Sequence, residues 1–333
     1  MRDNQRLALL PFRLLQTSRQ MVPLLLERVK AEYPDCLVYS GLFLWARIIA
    51  HALDIPGVAL WPTYIPDARS GTIMHERAAP AAASLKRIGD ELSYLRETYH
   101  IPFPDLASLV RGEEGLTIVF LPRAFQPGGD TFDERYLFVG PSFHPNRDEG
   151  HSFPHEHLGP PPLLYISLGT MYNNQVEFYN TCFKAFNNTG WHVILSLGDK
   201  LDSDSLQSIP ENFVTASYVP QLEVLPQTDV FLSHGGMNST MESLYFGVPM
   251  VIIPHTNEQK MTAKRVEELG LGIALDESAA VTAEVLREAV AQVTLDLHYK
   301  ERVEAMQHLV CEAGGYNRAT DGLQNYVRVG KPG

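Results

Sequence analysis

Cysteine is scarce in this chain. Its 333 residues include only three, Cys36, Cys182 and Cys311, which lie far apart and lack the C-x-x-C spacing of a thiolate metal site. A secreted domain held together by disulfides carries more cysteines at closer spacing. The pattern therefore argues against a disulfide framework and fits the cell interior, so we expect a cytoplasmic protein.

Long apolar runs and excess positive charge are also missing. No stretch approaches the roughly 18 apolar residues of a membrane-spanning helix, and the opening MRDNQRLALLPFRLLQ lacks the apolar core and cleavage site of a signal peptide. Lys and Arg total 27 against 39 Asp and Glu, a formal charge of −12. Because that charge repels nucleic acids and anionic membranes, we expect no nucleic-acid binding. The lack of long apolar runs predicts that there is no membrane span.

The rest of the composition is that of a globular protein, with 45% hydrophobic and 20% charged residues. A length of 333 residues exceeds the size of about 250–300 residues at which one core stops growing, so two domains are expected. A stretch rich in Pro, His and charge without any period separates the halves. We predict domains at 1–145 and 163–333, joined by a linker at 146–162.

Short apolar runs alternate with helix-like segments in both halves, which predicts an α/β fold with parallel sheets. In the first half the predicted helices are 11–33, 42–53 and 82–99, and the predicted strands are 36–40, 57–61, 116–122 and 136–140. In the second half the predicted strands are 163–169, 191–198, 213–219, 229–233, 248–254 and 272–275. The second half is predicted to be doubly wound, so ligands should bind at the carboxyl ends of its strands.

One of those strand ends carries the segment SHGGMNSTMES, residues 233–243. If a helix begins near Asn238, Gly235 and Gly236 allow a ligand to approach the backbone closely. The free amides of Asn238, Ser239 and Thr240 at the start of that helix, together with its positive dipole end, favour an anion such as phosphate. His234 could donate to a second phosphate oxygen, and Glu242 could accept from paired sugar hydroxyls. These residues suit a nucleoside diphosphate.

Structural roles explain the same residues equally directly. Ser239 and Glu242 have the S-x-x-E spacing of a capping box, in which both side chains satisfy amides of their own helix. A histidine at a strand end is often a hydrogen-bonded structural residue. Spacing alone leaves these alternatives open.

The run YVPQLEVLPQTDVFLSHGGMNSTMESLYFGVPMVIIPHTNEQKMTAKRVEELGLG, residues 218–272, resembles the donor-binding signature of the UDP-glycosyltransferase superfamily, in particular its bacterial macrolide-glycosyltransferase-like branch. The resemblance extends through 165–170 and 124–143 and covers nearly the whole chain. It implies the GT-B architecture of two Rossmann-like doubly wound domains. A GT-B sugar epimerase shares that architecture, but HTNEQ and YVPQ favour a transferase.

The resemblance also implies roles for individual residues. Tyr218, where the family usually has tryptophan, would stack on uracil, with the backbone of Val219 and Gln221 near the base and ribose. Glu242 would accept from the ribose hydroxyls. The residues matching the diphosphate site are Gly169, Thr170, His234, Gly236, Asn238, Ser239 and Thr240. Glu258 and Gln259 would bind the hydroxyls of the sugar; their structural alternative is an ordinary acidic first turn of a helix.

Family members of this kind need no metal, since amides, a helix dipole and a histidine stabilise the leaving diphosphate. We therefore expect no cofactor beyond the UDP-sugar substrate. Asp202 and Asp204 form a D-x-D but are predicted to lie in a surface loop. The cluster His151, His155, Glu156 and His157 lies in the linker and is more typical of solvated side chains than of a metal site.

The family's catalytic histidine, which takes the acceptor proton, has no counterpart here. The aspartate that usually orients it corresponds to Ser40. The resemblance also implies that the first domain lacks about two βα units, so we expect a truncated domain. The leading hypothesis is an inverting, metal-independent transfer of a hexose, from UDP-glucose in the first instance, to a hydroxyl of a hydrophobic small molecule. The alternative is a non-catalytic nucleotide-sugar-binding or regulatory homologue. Acceptor-pocket candidates, which could equally be core residues, are Phe43, Trp45, Trp61 and Tyr64.

Overall fold

The computed structural model describes residues 10–65, 82–111, 114–143, 147, 153, 158–170, 173–199, 201, 206–275 and 281–329. The chain forms two compact units. One comprises Met1–Ser142 with Ala313–Gly333, and the other comprises Phe143–Glu312.

The first unit is built on a parallel sheet. Within the part of the chain that the structure describes, its strands are β1 (Leu37–Ser40), β2 (Gly57–Trp61), β3 (Leu116–Val119) and β4 (Tyr136–Phe138), paired in that order. Its helices are α1 (Leu10–Glu32), α2 (Leu44–Ala52), α3 (Ala82–Tyr99) and α4 (Leu106–Arg111). The apolar residues of α1, α2 and α3 meet in one buried cluster that includes Leu15, Ile48 and Leu95. The predicted helices and strands of this half are confirmed.

The second unit contains a six-stranded parallel sheet among the described residues. Its strands are β5 (Leu163–Ser167), β6 (His192–Ser196), β7 (Phe213–Ala216), β8 (Val230–Ser233), β9 (Met250–Ile252) and β10 (Gly272–Ala274). They lie in the order β10-β9-β8-β5-β6-β7. This is the doubly wound order, in which the chain starts at the centre and builds outward in both directions. Near-continuous apolar sequence in these strands reflects burial on both faces.

The second unit also contains helices. Among the described residues they are α5 (Val176–Phe186), α6 (Gln221–Val224), α7 (Met237–Tyr245), α8 (Asn257–Glu268), α9 (Ala283–Leu295) and α10 (Leu297–Glu312). The chain then returns to the first unit with α11 (Gly315–Val329). Most strands are shorter than predicted, because their carboxyl ends turn into loops. The residues predicted to bind a ligand lie in those loops and in the helices that follow them, not in the strands.

The last helix, α11, packs on the first unit. The side chains of Leu323 and Tyr326 contact the apolar cluster around Val58 and Ile118, and the amide of Gly315 donates to the carbonyl of Val139 over 2.7 Å. The predicted second domain, 163–333, therefore needs correction at its end. Contacts with β3 and β4, distant in sequence, decide where an amphipathic helix packs, and its own pattern gives no indication of them.

Candidate functional site

The predicted ligand loops meet at the centre of the second sheet. β5 and β8 are neighbours, with Ser167 opposite Ser233 at their carboxyl ends. This is the point at which the strand order reverses, where doubly wound sheets open a crevice for ligands. The loop with Gly169 and Thr170 follows β5, and His234 follows β8. Both predicted diphosphate-side loops therefore lie side by side.

The imidazole of His234 lies between two glycines. A β-carbon on Gly169, where φ is +72°, would stand 2.6 Å from Cε1 of that ring, and one on Gly236 would stand 2.5 Å from Nε2. A β-carbon on Gly235 would stand 2.7 Å from Cγ2 of Ile252. The glycine pair was predicted to make room for a ligand. In the structure these glycines also make room for His234 and Ile252.

Helix α7 begins at Met237, one residue before the predicted start, with Gly236 as its N-cap and no side-chain cap. Its first hydrogen bond runs from the amide of Thr240 to the carbonyl of Gly236 over 2.9 Å. The amides that precede this bond are those of Met237, Asn238 and Ser239, so the prediction of a free Thr240 amide is wrong. The capping-box alternative is also wrong, since Ser239 lies within the helix rather than at its N-cap.

The side chains of the first turn of α7 face different surroundings. Asn238 is exposed and Ser239 is half-buried. Thr240 is fully buried, and its hydroxyl has no hydrogen-bond partner among the described residues. Backbone amides, Asn238 and Ser239 are thus the groups of this turn that a ligand reaches directly.

His234 is held in its neutral form. Burial, reinforced by the nearby His255, lowers the pKa of His234 from its ordinary 6.5 to about 4, while a hydrogen bond with the backbone of Ser167 acts in the opposite direction. Its Nδ1 is buried without a hydrogen-bond partner among the described residues. A neutral imidazole beside helix amides can donate one hydrogen bond to an anion without carrying charge of its own.

Glu242 lies one turn further along α7 and is 3% exposed. Its carboxylate accepts from Nε2 of Gln221 over 2.6 Å. It also forms an ion pair with Arg147, whose Nη1 contacts Oε1 and whose Nη2 lies 3.3 Å from Oε2. Gln221 and Glu242, both predicted to bind the ribose, are therefore brought together by the fold.

Tyr218 and Val219 precede α6 on the same side of this sheet. Tyr218 is 43% exposed, whereas Val219 is 4% exposed. The side chain of Val219 is a core residue. Only its backbone, the group named in the prediction, remains for a ligand.

Glu258 and Gln259 form the first turn of α8, where Thr256 is the N-cap. Oε1 of Gln259 accepts from the amides of His255 and Thr256 over 2.7 and 3.1 Å, and the amide of Gln259 donates to Oγ1 of Thr256 over 3.3 Å. This is a capping box. Gln259 thus has a structural role through its carbonyl oxygen, while Glu258 is exposed.

Other predicted residues fall in different places. Ser40 ends β1, and its carbonyl accepts from the amide of Phe43 over 2.7 Å. Trp61 and Tyr64 are 3% and 1% exposed and belong to the core, whereas Phe43 is 49% exposed and stacks on Trp45. The D-x-D pair and the linker histidine cluster, residues 202–204, 151 and 155–157, lie outside the described residues.

Arg147 is the residue of this site that sequence analysis missed. It lies in the predicted linker, 95 positions from Glu242, and neither a motif nor a period marks it. The part of the chain that the structure describes contains no helix long and apolar enough to cross a membrane, and no group of three His, Cys, Asp or Glu placed to hold a metal ion.

Comparisons with known proteins place the chain in a family. Residues 184–312 match the family model for the erythromycin biosynthesis protein CIII-like C-terminal domain. NDP-glycosyltransferase YjiC of Bacillus subtilis (strain 168) is 39% identical over 321 residues, 96% of this chain and 79% of that protein. Demethyllactenocin mycarosyltransferase of Streptomyces fradiae is 31% identical over 94% of this chain and 68% of its own length. The crystal structure of CalG4, the calicheamicin glycosyltransferase, superposes with a TM-score of 0.82 at 32% identity, covering 96% of this chain and 83% of that one. The chain belongs to the macrolide-glycosyltransferase-like branch of the glycosyltransferases with the GT-B fold.

Proposed function

We propose that the second unit binds a UDP-sugar, with UDP-glucose as the first donor to test, and that the protein transfers the hexose to a hydroxyl group. The observation that carries the proposal is the meeting of His234, the Gly169 loop and the first amides of α7 at the point where the strand order reverses. Such a crevice, lined by helix amides, is suited to a diphosphate.

The chemistry explains why these groups are needed. Transfer breaks the bond between the anomeric carbon and the diphosphate, so negative charge develops on the leaving oxygen. The amides of Met237, Asn238 and Ser239 and the imidazole of His234 would donate hydrogen bonds to that charge. This arrangement supplies the stabilisation without requiring a metal, so we propose a metal-independent reaction. Inversion at the anomeric carbon is proposed from the family resemblance alone.

The remaining donor contacts follow from the same crevice. The exposed ring of Tyr218 would stack on the uracil. Glu242 and Gln221, already hydrogen-bonded to each other, would bind the ribose. Thr170 would add to the diphosphate site, and Glu258 with Nε2 of Gln259 would bind hydroxyls of the hexose.

The acceptor is proposed to be a hydrophobic natural product such as a macrolide or flavonoid. Support comes from relatives named demethyllactenocin mycarosyltransferase and calicheamicin glycosyltransferase. Removing the acceptor proton requires a general base. We assign none, because Ser40 stands at the end of β1 where the family resemblance implies the orienting aspartate, and serine carries no charge.

The test is calorimetric titration of UDP and UDP-glucose into the purified protein, followed by a UDP-release assay with a flavonoid or macrolide acceptor. His234→Ala removes the imidazole, and Gly190→Ala serves as the control, since a β-carbon there meets nothing within 4 Å. We expect binding that only His234→Ala weakens, by about tenfold or more for a lost hydrogen bond to a charged group. Absence of UDP binding by the parent chain would contradict the proposal.

Ser40 also supports a second candidate, a nucleotide-sugar-binding homologue without catalysis. The release assay separates the two functions. UDP release that depends on the acceptor identifies a transferase with a base elsewhere in the chain, whereas binding of UDP-glucose without release identifies the binding protein.

A further inference from the structure

Arg147 and a nucleotide's ribose would use the same carboxylate. Glu242 is only 3% exposed, while the side chain of Arg147 is 37% exposed. The guanidinium thus approaches the buried carboxylate from the solvent side, which is also the side from which a ligand must come. Nε2 of Gln221 also donates a hydrogen bond to this carboxylate, at Oε2.

The hydrogen-bonding capacity of the carboxylate limits what else it can bind. Its two oxygens offer about four acceptor positions. Described residues use three of them, one on Oε1 by Nη1 of Arg147 and two on Oε2 by Nη2 of Arg147 and Nε2 of Gln221. Among the described residues, one acceptor position therefore remains, on Oε1. A ribose with adjacent 2′- and 3′-hydroxyls needs two positions, whereas a 2′-deoxyribose needs one.

We propose that Arg147 determines how strongly the site distinguishes ribonucleotide from 2′-deoxyribonucleotide donors. With Arg147 on Glu242, the 3′-hydroxyl of a deoxyribose finds its acceptor, but the second hydroxyl of a ribose must displace the guanidinium. Arg147 therefore reduces the advantage that a 2′-hydroxyl would otherwise give. The inference rests on the proposed function, since it requires that a nucleoside diphosphate binds with its ribose at Glu242.

The experiment uses two ligands that differ by one oxygen, UDP and 2′-deoxy-UDP, titrated into the parent protein and into Arg147→Met. Methionine retains the apolar length of the side chain and removes the competing donors. We expect the affinity for UDP to rise about three- to tenfold, the size of one charge-assisted contact, while the affinity for 2′-deoxy-UDP changes by less than about twofold.

Arg135→Met is the matched control for charge. Arg135 forms an exposed ion pair with Asp133 over 2.8 Å, so its replacement removes one positive charge without touching the site. Loss of positive charge by itself weakens binding of an anionic ligand, which is opposite to the effect expected at Arg147. Both affinities should fall slightly and equally in the control.

Thermal unfolding checks that the variants are folded, because loss of Arg147 leaves the buried carboxylate of Glu242 without its counter-charge. Arg147→Lys keeps the charge but cannot contact both oxygens with a planar group, and it should shift the preference toward UDP by a smaller factor. An unchanged or reduced preference for UDP in the folded variants overturns the role of Arg147. If the parent binds neither ligand, the proposed function and this inference both fail.

Discussion

Gly169 and His234 are in such close contact that a β-carbon at position 169 would force the imidazole to move. A β-carbon would stand 2.6 Å from Cε1 of the imidazole, and φ at this glycine is +72°. The two residues come from loops after β5 and β8, so their contact fixes the spacing of the two loops at the predicted diphosphate site.

We predict that Gly169→Ala displaces His234 and weakens UDP binding by about tenfold or more, with a stability loss of about 1–2 kcal/mol from the left-handed backbone alone. Calorimetry and thermal unfolding measure both effects. Gly190→Ala, whose φ is +22° and whose β-carbon meets nothing within 4 Å, should leave UDP binding unchanged. Equal binding by both variants would show that the Gly169 contact does not shape the site.

Glu242→Gln should weaken UDP binding by about 10- to 100-fold, because a carboxylate accepts stronger hydrogen bonds from hydroxyls than an amide does. Inorganic pyrophosphate lacks a ribose, so its affinity should stay within about twofold of the parent's. Both ligands are compared by calorimetry.

The control for Glu242 is Glu284→Gln, which removes a carboxylate from an exposed pair with Arg287 at 2.9 Å. It should leave both affinities unchanged. If Glu242→Gln weakens pyrophosphate as much as UDP, Glu242 acts on the diphosphate or on the fold rather than on the ribose.

The low pKa of His234, about 4, predicts a pH-dependent stability. The unfolded chain takes up a proton on this side chain near pH 6.5, whereas the folded protein does so only near pH 4. The contribution of the neutral imidazole is therefore complete above pH 6.5 and decreases as the pH falls toward 4, by about 3 kcal/mol at most. Urea unfolding at pH 7 and pH 5 measures it.

In His234→Gln the same comparison should show a smaller loss of stability between pH 7 and pH 5. The charged group that acts on His234 is the side chain of His255, and the backbone of Ser167 is the hydrogen-bond partner of His234. His255→Gln, which keeps His234, should retain most of the pH dependence. An identical pH dependence in His234→Gln and the parent would assign the effect to other groups.

A buried ion pair in the first unit gives a prediction about stability alone. Arg47 and Glu114 are each 4% exposed at their side chains, and the hydroxyl of Tyr39 donates to Oε1 of Glu114 over 2.8 Å. Glu114→Gln should reduce the free energy of unfolding by about 3–5 kcal/mol, because it leaves the guanidinium buried without its counter-charge.

The surface pair of Asp133 and Arg135 provides the comparison, since its side chains are 52% and 49% exposed. Asp133→Asn should reduce stability by less than about 1 kcal/mol. Denaturant unfolding measures both variants, and similar losses in the two would contradict the buried character of the Arg47 pair.

Two substitutions separate the capping and sugar-binding roles of Gln259. Gln259→Glu keeps an oxygen for the amides of His255 and Thr256, whereas Gln259→Ala loses the cap at a cost of about 0.5–2 kcal/mol. If Nε2 binds the hexose, Gln259→Glu should weaken UDP-glucose but not UDP. Calorimetry measures the affinities for both ligands. Equal changes in the two affinities would show that Gln259 has only the capping role.

The elements of this fold were predictable because their causes are local. Apolar runs of four to six residues between helix-like segments identify buried parallel strands, and every strand of the second sheet was predicted. The segment 233–243 was recognised as a ligand loop from its small residues. The start of helix α7 within this segment was misplaced by one residue, because a glycine N-cap gives no side-chain signal.

Contacts between distant residues were not predictable in this way. Nothing in the sequence around Arg147 indicates that it pairs with Glu242, 95 positions away, and the pattern of α11 does not reveal that it packs on β3 and β4. Gln259 was assigned to a sugar and is also part of a capping box.

The sequence by itself determined the alternation of strands and helices, the doubly wound class and the position of the ligand loops, since periodicity and small residues act over a few positions. Only the tertiary structure decided which side chains share those loops. It placed the ring of His234 against Gly169 and the guanidinium of Arg147 on Glu242, because burial and charge pairing depend on what the folded chain brings together.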